Sequence, residues 1–219
     1  LAAEVAGWRE VEQRIGDWQG GWIAVHVGAL GRSHRTALRT RHRALGLLGL
    51  VEFERGLHLR PDNLAGGVAA VRARLLKLGL EPAAPVFVAT GFNATCEQRA
   101  RGMWDGRALT RRYLDTRRRL DDWLTRAGSP EPEVAARESF GLGHDAIRAL
   151  VFDPLLPEPL VDTQARRAFV DAVLRFDAAG HALWKHFLEA QCTRLAVSRA
   201  RPALASRLET LSLTHPTCL

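Results

Sequence analysis

Residues 22–61, WIAVHVGALGRSHRTALRTRHRALGLLGLVEFERGLHLRP, decide the fold. Trp22-Ile23-Ala24-Val25-His26-Val27 is a short apolar run bounded by glycines and reads as a buried strand. Ser33 is then placed as an N-cap. From His34 to Leu48, Ala37, Leu38, Ala44, Leu45 and Leu48 recur at helical spacing, while Arg35, Arg39, Arg41 and Arg43 project mostly from the other faces. Gly49 stops this helix. Two runs follow, Leu50 to Phe53 and Leu57 to Arg60, with Glu54-Arg55-Gly56 as the turn of a hairpin.

Working outward, Pro61-Asp62-Asn63 predicts the start of a second helix, with Asp62 or Asn63 as cap and Leu64, Val68, Val71, Leu75 and Leu78 as its stripe. Gly79 ends it, and residues 85–90 (PVFVAT) give a last strand. The order strand, helix, strand, strand, helix, strand is the split βαβ, ferredoxin-like pattern, with the first and third strands central. Residues 19–93 are assigned to that domain. Upstream, residues 1–18 place Val5, Trp8, Val11 or Glu12, and Ile15 at helical spacing, so a helix leads in before Gly20-Gly21 breaks the chain. Downstream, residues 94–219 read as a helical domain. A long amphipathic helix carries Trp104, Leu109, Tyr113, Leu120, Trp123 and Leu124. A second helix covers 133–150, broken around Gly141-Leu142-Gly143, and a proline-punctuated connector covers 151–160. A third helix runs from Thr163 to about Ala196, and the tail from Ser198 lacks a stripe and is expected to be partly disordered. The fold class is therefore α+β.

Composition narrows the function. With 47% hydrophobic and 25% charged residues in 219, the chain is no disordered, collagenous or disulfide-scaffold protein. No apolar run has the length of a membrane span. Cys96, Cys192 and Cys218 lack metal spacing, and their odd number suits a reducing cytoplasm. The net charge is +7, carried by 29 Arg against 2 Lys. Residues 19–93 contribute +6 and 94–128 contribute +4, against −2 from 1–18 and −1 from 129–219. Arg grips phosphate in a bidentate way, which brings nucleic acid and other phosphate ligands into view. A GC-rich genome writes Arg for Lys with no functional message, and both readings stand.

No G-x-S-x-G, Walker or G-x-G-x-x-G motif is present. A metal-dependent nuclease of ferredoxin-like fold is the enzymatic alternative. It needs a carboxylate near the end of the first strand, and none stands between Ile23 and Leu30. His26, His144, His181 and His186 have no partners at metal spacing, so no metal and no cofactor is expected. Arg111, Arg112 and Arg117 to Arg119 form the densest charge run, with Asp115, Asp121 and Asp122 placed to neutralise it. The tryptophans sit on apolar stripes or at element boundaries and read as core.

Three segments, spread over about residues 8–190, carry a resemblance. They are Trp18-Gln19-Gly20-Gly21-Trp22-Ile23; Arg35-x-x-Leu38-Arg39 with Leu47-Leu48-Gly49-Leu50 and Gly56-Leu57-His58-Leu59-Arg60-Pro61; and Asp153-Pro154-Leu155-Leu156-Pro157 with Phe176-Asp177 and Trp184-x-x-Phe187. The set resembles the phenylacetic acid degradation repressor (PaaX) family of transcriptional regulators. One departure is His58, where the family has Trp. Another is the family's N-terminal winged helix, which these residues do not include; the chain starts with Leu1 and is expected to begin inside a longer product. The resemblance implies a cytoplasmic repressor of a catabolic operon and not an enzyme. It implies a homodimer that holds operator DNA through the winged helix and responds to an aryl- or acyl-coenzyme A. Arg35, Arg39, Arg41, Arg43 and Arg60 are then candidates to bind the effector's phosphates; the same helix face also reads as plain solvated surface. A pocket between the ferredoxin-like and helical parts, with Arg near its mouth, is expected. A binding protein without DNA contact is the other alternative.

Overall fold

Alternation along β1 (Trp22–His26) builds two cores at once in the computed structural model. Ile23 and Val25 join Ala44, Leu45, Val71 and Leu75 on one side of the sheet. Trp22 and Ala24 join Leu59 and Ala100 on the other. The structure describes residues 9, 12–31, 34–126 and 132–185. After β1 come α1 (Arg35–Leu47), β2 (Val51–Glu54), β3 (Leu57–Pro61), α2 (Gly67–Lys77) and β4 (Val86–Ala89). The sheet order is β2-β3-β1-β4, and every neighbour is antiparallel. Val25 lies opposite His58 on one side and Val86 on the other. This is the split βαβ arrangement that the order of elements predicts, with β1 and β3 central.

Helix α1 buries Arg41, Ala44 and Leu45, a face at i, i+3, i+4. Its N-cap is His34, which makes no side-chain cap bond; Ser33, expected there, lies outside the described residues. The helix closes with Leu50 N–H donating to Leu45 O at 3.0 Å, a six-to-one bond that needs a left-handed residue between. Gly49, at φ 70°, is that residue. Helix α2 starts later than Asp62-Asn63 predicts, with Gly66 as its cap. The reason is that Asn63 is buried and its side chain is bound elsewhere, to Arg60 and to Leu155 O.

The helical part comprises α3 (Ala94–Arg101), α4 (Gly106–Arg126), α5 (Pro132–Val151) and α6 (residues 163–185). Asn93 caps α3 by accepting from Cys96 N–H at 2.8 Å. Tyr113 of α4 stacks on Phe169 of α6 at 5.8 Å, and Trp123 meets Phe176 at 4.6 Å. Gly106 lets α4 begin against the connector; a Cβ there would overlap Leu160 O. The break predicted at Gly141-Leu142-Gly143 does not occur, and α5 runs through it. Two helical glycines cost about 1 kcal/mol each relative to Ala. Burial of Ala146, Ala149 and Leu150 on the same helix outweighs that cost.

Of the lead-in helix predicted for residues 1–18, residues 1–8, 10 and 11 lie outside the described residues; in the described part Glu12–Arg14 form a 3-10 turn and not an α-helix. Ile15 then bridges to Leu64, and Gly16 N–H donates to Asn63 O at 2.7 Å, so the sheet's own loop captures the backbone that a helix would need. Helical positions 186–196 and the tail from Ser198 lie outside the described residues. The helical core is continuous with the α1/α2 side of the sheet, so Tyr113, Leu120 and Phe169 belong to one cluster with Ile23 and Leu45. Among the described residues, no helix is long and apolar enough to cross a membrane.

Candidate functional site

The fold divides the five arginines that the resemblance makes candidate phosphate ligands. Arg35, Arg39 and Arg43 are exposed at i, i+4, i+8 along α1. Arg41 points the other way and is buried. Its Nε donates to Glu81 at 3.2 Å and its Nη2 to Glu81 and to Gly31 O. That bond holds the Glu81 carboxyl below its usual range. Arg60 is 1% exposed. Its guanidinium donates to Leu48 O, to Asn63 Oδ1 at 3.0 Å and to Pro154 O at 3.4 Å, while Nε donates to Pro61 O at 3.1 Å. Burial, and then the charge of Arg14, push its pKa down to about 9. Arg41 and Arg60 are thus spent on internal acceptors and do not face a solvent-borne phosphate. The spacing of Arg41 with Ala44, Leu45 and Leu48 is the sequence signal for its burial.

Of the run on α4, Arg117, Arg118 and Arg119 have acidic partners, Arg119 at 3.9 Å from Asp145. Arg117 meets Asp121 at 3.3 Å, Arg118 meets Asp115 at 3.2 Å and Arg175 from α6 meets Asp121 at 2.8 Å. These are exposed pairs of small individual worth. Among the described residues, no group of three His, Cys, Asp or Glu could hold a metal.

A groove of about 620 Å³ lies between α5 and α6. Phe140, Gly143, His144, Ile147, Arg148 and Val151 face it from α5. Val173, Phe176, Asp177, Gly180, His181 and Trp184 face it from α6. Both sets recur at three and four residues, so each is one helical face. The walls are mainly apolar, and Phe140 is 72% exposed at the edge. Asp177 is neutralised by Arg9 at 2.6 Å and lies 3.4 Å from His181. The position differs from the expected one: the groove lies inside the helical part, not between it and the sheet. The reason is that the contact between the two parts is filled. Its sequence signal is the width of the apolar face on α5, where Phe140, Ile147 and Val151 extend a stripe already satisfied by Ala146, Ala149 and Leu150.

What fills that contact is the connector after α5. Phe152 closes one end of the groove, and the next residues are bolted down. Pro154 O accepts from Arg60, Leu155 O accepts from Asn63 Nδ2 at 2.7 Å, and Leu156 O accepts from the buried Arg166 at 2.6 Å. Arg166 also reaches Glu12 at 3.2 Å, tying in the N-terminal turn. Leu155 sits at φ 53°, a conformation rare for a branched side chain. Asp153 Oδ1 accepts from Leu155 N–H at 2.7 Å. Its Oδ2 lies in the buried space beside Tyr113, yet neither that oxygen nor the Tyr113 hydroxyl completes a well-formed hydrogen bond. Burial raises the Asp153 pKa, and burial with the Asp153 charge raises that of Tyr113.

Residues 104–186, which include the whole groove and the connector, match the family model of the PaaX-like protein C-terminal domain. No curated protein matches the chain. Among solved structures, the uncharacterized protein Rv0674 from Mycobacterium tuberculosis is similar over 84% of this chain and 72% of that one, with a TM-score of 0.52 and 22% identity. That likeness bears on the fold alone.

Proposed function

We propose that this chain, a PaaX-like protein by the domain matched over residues 104–186, is the effector-responding part of a transcriptional repressor. The family is one of transcriptional regulators rather than enzymes. The repressor controls a catabolic operon and releases its operator when an aryl- or acyl-coenzyme A binds. It works as a cytoplasmic homodimer. DNA contact belongs to the family's winged-helix unit and is assigned to no residue here.

The observation that carries this reading is the family match itself, which spans the connector and both walls of the groove. The phosphates of the thioester fall to Arg35, Arg39 and Arg43, the nominated arginines that remain exposed. Titration calorimetry with phenylacetyl-coenzyme A and related thioesters tests the proposal, alongside light scattering for mass. Saturable heat and a dimer are expected. Replacing Arg35, Arg39 and Arg43 together by Glu is expected to weaken the thioester more than the corresponding free acid. No heat with any thioester, together with a monomeric mass, refutes the reading.

A further inference from the structure

The groove between α5 and α6 combines an apolar lining with one uncompensated cation. Asp177 is met by Arg9 and faces His181, so its charge is not available to a ligand. Arg148 lines the same groove, and its guanidinium lies 5.8 Å from the Phe152 ring centre. Among the described residues no carboxylate pairs with it. The groove therefore offers hydrophobic walls and a positive point at the Phe152 end. That is complementary to an apolar tail ending in a negatively polarised oxygen.

Two glycines keep the space open. A Cβ on Gly143 would stand 3.4 Å from the Phe176 ring, so any larger group would press into the floor. A Cβ on Gly180 would meet nothing within 4 Å among the described residues, which leave this position unfilled. Glycine inside a helix is unfavourable, and each position leaves room where a side chain would otherwise enter the groove. A volume of about 620 Å³ suits a small organic molecule.

We infer that this groove binds the acyl portion of a small aryl- or alkyl-carboxylic compound, with the tail against Ile147, Val151, Val173 and Phe176 and the acyl oxygen at Arg148. The inference rests on the effector reading above for its regulatory meaning, and adds to it the place and the chemistry of binding. The oxygen can come from a free carboxylate or from a thioester; both present it at the end of an apolar chain.

Calorimetric titration of the 219-residue chain separates the sources. The probes are phenylacetate, octanoate, their coenzyme A thioesters, free coenzyme A, and 2-phenylethanol as the uncharged analogue. The wild type is expected to bind an acid or a thioester at one site per chain, and free coenzyme A more weakly than either thioester. Gly180→Leu fills the groove, improves helix propensity, and is expected to abolish binding while circular dichroism stays unchanged. Arg148→Met is expected to weaken the acid by about tenfold while leaving 2-phenylethanol unaffected. Undiminished thioester binding by Gly180→Leu overturns the groove assignment and leaves the regulator reading intact. Acid binding lost in Gly180→Leu, with no thioester bound by the wild type, supports the groove and overturns the thioester effector. No binding of any probe by the wild type overturns the inference. So does a dimer that Gly180→Leu dissociates with no effect on binding, since the groove is then a subunit interface.

Discussion

Truncating Arg60 tests whether it is a structural pin or a ligand for phosphate. Arg60→Ala removes a fully buried guanidinium and its bonds to Leu48 O, Asn63 Oδ1, Pro61 O and Pro154 O. Three of those acceptors belong to other segments: the end of α1, the loop before α2, and the connector after α5. Each buried acceptor left unsatisfied costs about 1 kcal/mol or more. The emptied volume adds to this, and relief from burying a charge subtracts. The net expectation is a loss of about 4 kcal/mol, close to one for each of the four neutral acceptors left behind. For a chain of this size that lowers Tm by roughly 10 °C. Arg60→Met keeps most of the volume and buries no charge, so it is expected to cost about half as much. Urea unfolding followed by circular dichroism, with thermal scans of both variants, measures the effect. If Arg60→Ala lies within about 1 kcal/mol of the wild type, the pin argument is wrong. A ranking in which Met is worse than Ala would also refute it.

Asp153 should reveal itself through pH. Its folded pKa is raised by burial, so it favours the fold most below its unfolded value and loses that contribution as pH rises through the folded one. Asp153→Asn keeps an acceptor for Leu155 N–H, and is expected to raise the urea midpoint relative to wild type at pH 7.5 and to lose that advantage at pH 4. Gly49→Ala combines φ 70° with a Cβ 2.8 Å from Pro154, and a loss of about 2 kcal/mol is expected from chemical denaturation.

Periodicity carried the sheet and its two covering helices, because β1, α1 and α2 each bury one regular face. It failed where a side chain had a distant partner. Asn63 looks like a helix cap until the fold brings Leu155, 92 positions on, beside it. Gly141 and Gly143 look like a break until Phe176 is brought against Gly143. The same logic governs the site. The resemblance makes five arginines phosphate candidates; the helical spacing of Arg41 marks its burial, whereas that of Arg60 depends on the connector carbonyls, which no local pattern reveals. The groove was hidden for a different reason: its walls come from two helices separated by the connector, and only their pairing makes a concavity of two ordinary stripes.

The bolted connector has a bearing on how the protein opens. The helical part cannot lift from the sheet by itself without drawing Pro154 and Leu155 carbonyls off Arg60 and Asn63 and leaving a guanidinium stranded in an apolar interior. Partial unfolding along that seam is therefore as costly as unfolding much of the core. Amide protons at the seam, that of Leu155 bonded to Asp153 among them, should exchange with solvent only through the global event. Those on the exposed face of α5 exchange through smaller local openings. Sheet and helices behave as a single cooperative foldon, with the groove on its softer side.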